Sequence, residues 1–224
     1  MIGLILLAAT LGPKPKILFV GNSHTAVNNV PEMVRNLLAS DPAKRQARVQ
    51  FSAVSLIEDS ASVVDQAIRS ENWDVVVLQG AKVSSSHKYR YRQDQAIALV
   101  KLAISRKAKV YLCAEWPRRG WDETEYQLGV YREIQTAAKG SIIIPICKIW
   151  DLSRAKLGGS DLWAGDGNHA NFKGSFLSAC VIYRYLTEDS ASIPTYVPNG
   201  VTAQEAGVFH RSAIQIAGFV KPKR

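Results

Sequence analysis

Lys16-Ile17-Leu18-Phe19-Val20-Gly21-Asn22-Ser23-His24-Thr25 is a continuous apolar run broken by glycine, asparagine and serine. Such a run without polar alternation reads as a strand buried on both faces, the signature of a parallel sheet. Gly21-Asn22-Ser23 then reads as the turn leaving that strand, with Ser23 at its exit. Further along, comparable runs occur at Val49 to Val54, Val75 to Leu78, Lys109 to Ala114 and Ser141 to Ile146. Between them lie helical patterns at Pro31 to Ser40, Ser60 to Glu71, Gln93 to Arg106 and Glu123 to Lys139, followed by amphipathic stretches at Asn171 to Leu186 and Thr202 to Phe219. The strand-helix alternation predicts an α/β protein, a three-layer α/β/α sandwich around a doubly wound, mainly parallel five-stranded sheet. Ligands of such sheets bind beyond the carboxyl ends of the strands, where Ser23, Gln79 and Trp116 would emerge.

A second segment gives Ser23 its chemical meaning. Asp166-Gly167-Asn168-His169 directly precedes the Asn171 to Leu186 stretch, about 140 residues after the serine. A neutral serine is a weak nucleophile and needs a base to take its proton. His169 fits that role, and Asp166 fits that of the acid holding the imidazole's tautomer and stabilising its charged form. With acid and base three residues apart on one loop, only Ser23 has to be positioned by the sheet. Taken singly, a G-x-S turn usually only caps a helix, and Asp-x-x-His is common.

Val20-Gly21-Asn22-Ser23-His24-Thr25 and Asp166-Gly167-Asn168-His169 together resemble the first and last blocks of the SGNH (GDSL-like) hydrolases, with Asn22 where Asp is commoner. Leu162 to Asn171, Gly174 to Cys180, and Val75-Val76-Val77-Leu78-Gln79 are similar to an uncharacterised bacterial branch of that superfamily. The resemblance runs from residue 16 to about 194. It implies a flavodoxin-like SGNH fold and a serine ester hydrolase working through an acyl-enzyme, with Ser23, His169 and Asp166 as the triad and no cofactor or metal. In the family the oxyanion donors are the serine N–H, a glycine after the second strand and an asparagine in the third block. Here the second-strand exit reads Ala53-Val54-Ser55-Leu56 and the third block Gln79-Gly80-Ala81-Lys82. Ser23 N–H, Ser55 or Ala53, and the Gln79 amide are therefore the donor candidates; a register with Ala81 at the asparagine position leaves one donor missing, and the alternative for Gln79 is a buried amide tying two loops together.

Asn22, His24, Trp116 and Trp163 are the candidate substrate-binding residues. Trp116, Trp121 and Trp163 fall in loops on the predicted active face, where indoles either stack on sugar rings or anchor loops. Combined with what the family does, the leading substrate class is an O-acyl ester, O-acetyl above all, on a carbohydrate; a lipid or small aryl ester comes second. His87 and His210 have no identifiable partners.

At 224 residues and 47% hydrophobic content, residues 16–224 suffice for one domain with its own core. Cys113, Cys147 and Cys180 are odd in number and lie in apolar runs without C-x-x-C spacing, which predicts buried thiols rather than a metal site or disulfide framework. Residues 1–15 read as a signal peptide or an apolar N-terminal extension, so a secreted or periplasmic location and a cytoplasmic one both stay open; no segment is long enough to span a membrane. The formal charge of +9 and pI near 9.5 raise nucleic acid as a partner, but no nucleic-acid motif accompanies them. The clusters Lys88-Tyr89-Arg90-Tyr91-Arg92 and Arg118-Arg119 alternatively form a basic rim for acidic substrates, or solvated loops. Besides the esterase, two readings remain: a catalytically weak SGNH-fold glycan-binding module or acyltransferase, and a basic nucleic-acid-binding domain.

Overall fold

A computed structural model of the chain describes residues 14–43, 45–188 and 193–219. The apolar stretch at residues 2–11 and the tail at 221–224 lie outside them. Five strands, β1 (Lys16–Gly21), β2 (Arg48–Ala53), β3 (Val75–Leu78), β4 (Lys109–Ala114) and β5 (Ile142–Pro145), form one sheet in the order β2-β1-β3-β4-β5. Every pairing is parallel, with Phe19 opposite Phe51 and Val77, and Leu78 opposite Leu112. The helices are α1 (Ser23–Ala26), α2 (Val30–Ser40), α3 (Ala61–Arg69), α4 (Asp94–Ser105), α5 (Thr124–Ala137), α6 (Ile146–Lys156), α7 (Phe172–Thr187) and α8 (Ala203–Phe219).

The period of two along each strand divides the core into two layers. Ile17 and Phe19 of β1 point into one cluster with Val77, Tyr111 and Ile144, covered by α2, α6, α7 and α8. Leu18 and Val20 point into the other with Val76, Leu78, Val110 and Leu112, covered by α3, α4 and α5. The result is the expected three-layer α/β/α sandwich. Among the described residues no helix is long and apolar enough to cross a membrane.

Two elements depart from the sequence reading. Helix α6 was not foreseen, because β5 runs into it at Pro145 with no linker and no side-chain cap. Helix α7 is not amphipathic: twelve of its sixteen residues are buried, since α2, α6 and α8 all pack against it. The strand order places β1 between β2 and β3, so the chain leaves β1 and β3 toward opposite layers. That crevice at the carboxyl ends holds Ser23 and the Gln79 loop.

Candidate active site

Ser23 is fixed by its neighbours. Asn22 Oδ1 accepts the His24 N–H at 2.9 Å, and Asn22 O accepts the N–H groups of Thr25 and Ala26, which starts α1 with Ser23 as its first, exposed residue. Gly21 is required by close approach: a Cβ there would stand 2.3 Å from Thr25 Oγ1 and 2.8 Å from Gln79 Oε1. Gln79 Oε1 lies so near because it accepts from both Asn22 N–H (3.0 Å) and Thr25 Oγ1 (2.9 Å), one on each side of the serine.

The acid and base share one pinned loop. His169 Nε2 is 2.8 Å from Ser23 Oγ, and His169 Nδ1 is 2.5 Å from Asp166 Oδ2. Because a carboxylate only accepts, the proton between them belongs to Nδ1, leaving Nε2 free to accept from the serine. Asp166 Oδ1 takes the N–H groups of Asn168 and His169, both at 2.9 Å. The His169 bond first, then these two, hold its carboxyl well below the usual carboxylate range. The loop closes on itself through Ala164 N–H to His169 O (2.8 Å) and Asn171 N–H to Leu162 O (2.9 Å). Trp116 Nε1 donates to Asn168 O, and Arg119 N–H donates to Gly167 O.

Several residues singled out in the sequence sit elsewhere than expected. Trp116 and Trp163 are not sugar platforms. They are 3% and 4% exposed, pack on Trp150 of α6 at ring-centroid distances of 4.8 and 5.4 Å, and place their indole N–H groups on the carbonyls of Asn168 and Pro117. Both anchor the loop that carries Asp166 and His169. Gln79 is not aimed at the serine as a donor: its Nε2 reaches Glu115 Oε2 at 3.1 Å and its Oε1 holds the nucleophile turn, so the buried-amide reading fits. The Ala81 and Gly80 N–H groups of the third block turn inward to Tyr131 Oη, each at 3.3 Å.

Of the groups around the nucleophile turn, Ser23 N–H, Ser55 N–H and Asn22 Nδ2 have no acceptor among the described residues. Val54 N–H bonds Gly21 O, carrying the β1–β2 register one step past Ala53, and a Cβ on Gly80 would be 3.5 Å from Asn22 Nδ2 and 3.8 Å from Ser55 O. Asn22 therefore caps α1 with its oxygen and keeps its nitrogen free.

Beneath the serine lies a polar network that the sequence reading missed. Glu115, at the exit of β4, is 4% exposed and accepts from Tyr131 Oη (2.7 Å) and Gln79 Nε2. Burial raises its carboxyl pKa, and the two hydrogen bonds oppose the shift. His24 packs on Trp116 with the rings tilted by 35° at 4.8 Å, meets the His169 ring edge-on at 5.3 Å, and has Nδ1 3.9 Å from Glu115 Oε1. Burial, and next the charge of His169, lower its pKa to about 4, so the ring is neutral at pH 7. A carboxylate directly after an apolar strand was the available signal for Glu115.

The arginines of the basic clusters are paired rather than open. Arg118 binds Glu123, Arg119 binds Asp161, Arg90 binds Glu133 and Arg92 binds Asp94. His87 also finds Glu123, at 2.8 Å, and stacks on Tyr126; His210 lies 3.8 Å from Cys180 Sγ. The three cysteines are free and buried. Among the described residues no group of three or more His, Cys, Asp or Glu side chains is placed to hold a metal ion.

No family model matches this chain, and no curated protein sequence matches it. Solved structures do. A DUF4886 family protein from Bacteroides uniformis superposes with a TM-score of 0.69 at 16% identity, covering 92% of this chain and 95% of its own. A candidate SGNH hydrolase from Slackia heliotrinireducens gives 0.59 at 20% identity, covering 78% and 100%. A catalytic mutant of an acetylxylan esterase from Geobacillus stearothermophilus gives 0.55 at 16% identity, covering 77% and 95%. The fold of this chain is that of the SGNH hydrolases.

Proposed function

We propose that this chain is a serine ester hydrolase of the SGNH type. The observation that carries the reading is the hydrogen-bonded line Ser23 Oγ, His169 Nε2, His169 Nδ1, Asp166 Oδ2. Ser23 Oγ attacks the ester carbonyl while His169 Nε2 takes its proton, and Asp166 stabilises the imidazolium that forms. The tetrahedral oxyanion is held by Ser23 N–H, Ser55 N–H and the Asn22 amide. Collapse returns the proton through His169 to the leaving alcohol, and water then resolves the acyl-enzyme by the same steps reversed.

The substrate class we propose is an O-acetyl ester on a carbohydrate. Its support is the fold likeness to an acetylxylan esterase and an exposed tryptophan near the site. One observation favours a slower enzyme or an acyltransferase as second reading: the third-block N–H groups are spent on Tyr131, so the third donor rests on the Asn22 side chain alone, and an oxyanion hole without that donor lowers kcat by about a hundredfold or more. The ion-paired basic loops favour neither reading, and they weaken the nucleic-acid one.

Hydrolysis of p-nitrophenyl acetate tests the proposal. Ser23→Ala and His169→Ala should each remove nearly all activity, and the double variant should lose little more, because the two act as a unit. Full activity in folded Ser23→Ala would refute it. Acetyl transfer to a sugar hydroxyl in preference to water would select the acyltransferase.

A further inference from the structure

Trp121 stands apart from the other four tryptophans. It is 53% exposed, and the others are at most 4%. Its indole forms part of an open cleft of about 360 Å³, also lined by Arg118, Asp122, Thr124, Asp151 and Arg154. We infer that this cleft binds a neutral sugar ring of the acylated carbohydrate, stacked on Trp121. The inference rests on the ester-hydrolase reading above and names where the non-reacting part of the substrate goes.

The platform is built. The Arg118 guanidinium lies 4.3 Å from the Trp121 ring centroid and covers one face, while Arg118 itself is held by Glu123 and by Ser85 O. Trp121 N–H closes a turn on Arg118 O, with Gly120 at φ +80°. Arg118 covers one face, the His87 ring meets the indole edge-on at 6.0 Å, and the residue keeps 53% of its surface exposed, which leaves apolar ring surface for the C–H face of a pyranose.

Polar groups converge on the same cleft. Arg154 stacks on Trp163 at 4.5 Å, and its buried Nε has no hydrogen-bond partner. Asp151 Oδ2 accepts from Thr124 Oγ1 at 2.7 Å, leaving Oδ1 as an acceptor for a sugar hydroxyl. Arg118 is neutralised by Glu123, and Arg154 shares the cleft with Asp122 and Asp151, so the lining carries no excess positive charge and favours hydroxyls over carboxylates or sulfates despite the net +9 of the chain.

The cleft is also joined to the triad. Arg119, between its two aromatic-turn residues, donates its N–H to Gly167 O at 2.8 Å, and Trp163 donates to Pro117 O at 2.7 Å. A sugar on Trp121 is therefore seated on the same pair of loops that position Asp166 and His169.

The test uses partially O-acetylated xylo-oligosaccharides, with p-nitrophenyl acetate as a substrate that carries no sugar. In Trp121→Ala, the ratio of kcat/KM on the oligosaccharides to that on the aryl ester should fall about tenfold or more, as for removal of an aromatic hot spot, and Trp121→Phe should recover part of it. In Ser23→Ala, which leaves the sugar intact, oligosaccharide binding should protect the exposed indole from acrylamide quenching. Partially O-acetylated galacturonide oligomers should protect it no better. An unchanged ratio in Trp121→Ala, no protection at millimolar oligosaccharide, or tighter binding of the galacturonides would overturn the inference. Sugar-ester hydrolysis with an unchanged ratio sinks the cleft and spares the esterase. Trp121-dependent binding by a wild-type protein that hydrolyses no ester does the reverse.

Discussion

Gln79→Ala separates a clamp from an oxyanion donor. The side chain is 4% exposed and makes three hydrogen bonds, to Asn22 N–H at 3.0 Å, Thr25 Oγ1 at 2.9 Å and Glu115 Oε2 at 3.1 Å. Each contributes about 1 kcal/mol net, and truncation also leaves buried partners unpaired beside a small existing cavity. The expected loss is about 3 to 5 kcal/mol, a large share of the roughly 5 to 15 kcal/mol by which domains are stable. At a urea slope of about 2 kcal/mol per molar, the unfolding midpoint should fall by about 2 M. Activity per folded molecule should fall less than about tenfold, since Asn22 still caps α1 and the free donors remain in place. Urea titration and p-nitrophenyl acetate kinetics on one preparation decide the matter. A midpoint shift under about 0.3 M together with a hundredfold drop in kcat would refute the clamp and return Gln79 to the oxyanion.

His24 and His210 both have pKa values lowered to about 4, chiefly by burial, against 6.5 when solvated. Their stabilising effect should be complete above pH 6.5 and be lost as pH falls toward 4, by on the order of 3 kcal/mol each; His210→Asn should flatten that part of a stability-against-pH curve, and an unchanged slope would count against it. A Cβ on Gly174 would lie 2.3 Å from Leu162 O and 2.5 Å from Trp150 Cη2, so Gly174→Ala should cost about 2 kcal/mol, seen as a Tm lower by about 4 to 8 °C, and should also slow turnover by shifting the loop that carries His169. Burial pushes the Cys147 thiol up to about 12 and the other two higher still, so native protein should give no fast reaction with Ellman's reagent and unfolded protein three thiols; one rapid native equivalent would contradict the burial.

What could be read from the sequence was what backbone periodicity controls. Val75–Leu78 and Lys109–Ala114 match their strands end to end, because a strand covered on both faces is apolar wherever it is buried, with only Lys109 at the exposed start of the second departing from that. Residue type at a strand exit and on one turn was enough to single out Ser23 and the Asp166–His169 loop as partners, and the structure brings their side chains within hydrogen-bond distance. Helix α6 was hidden by a strand that feeds it without a cap, although Ile146, Ile149, Trp150 and Ser153 carry the helical spacing. That omission propagated. Without Trp150 in place, nothing in the sequence distinguished Trp116 and Trp163, which pack on it, from Trp121, which does not. Likewise the fate of Gln79 depends on Glu115 and Tyr131, 36 and 52 residues away, and no local pattern signals such a partnership.

Charge gives the sharpest contrast between composition and site. A net +9 suggests a field that gathers anions, but a field acts at a site only through charges left unpaired within about a Debye length, roughly 8 Å at physiological salt. Around the carboxyl ends of the strands, Arg118, Arg119, Arg90, Arg92 and Lys82 each have an acidic partner within 3 Å. Those pairs contribute little to stability where they are exposed, yet they cancel the local field. On the proposed reading, the choice of substrate then rests on short-range chemistry at the exposed Trp121 and the arginines and aspartates of its cleft, and an uncharged carbohydrate is expected there rather than the acidic polymer that the bare residue count suggests.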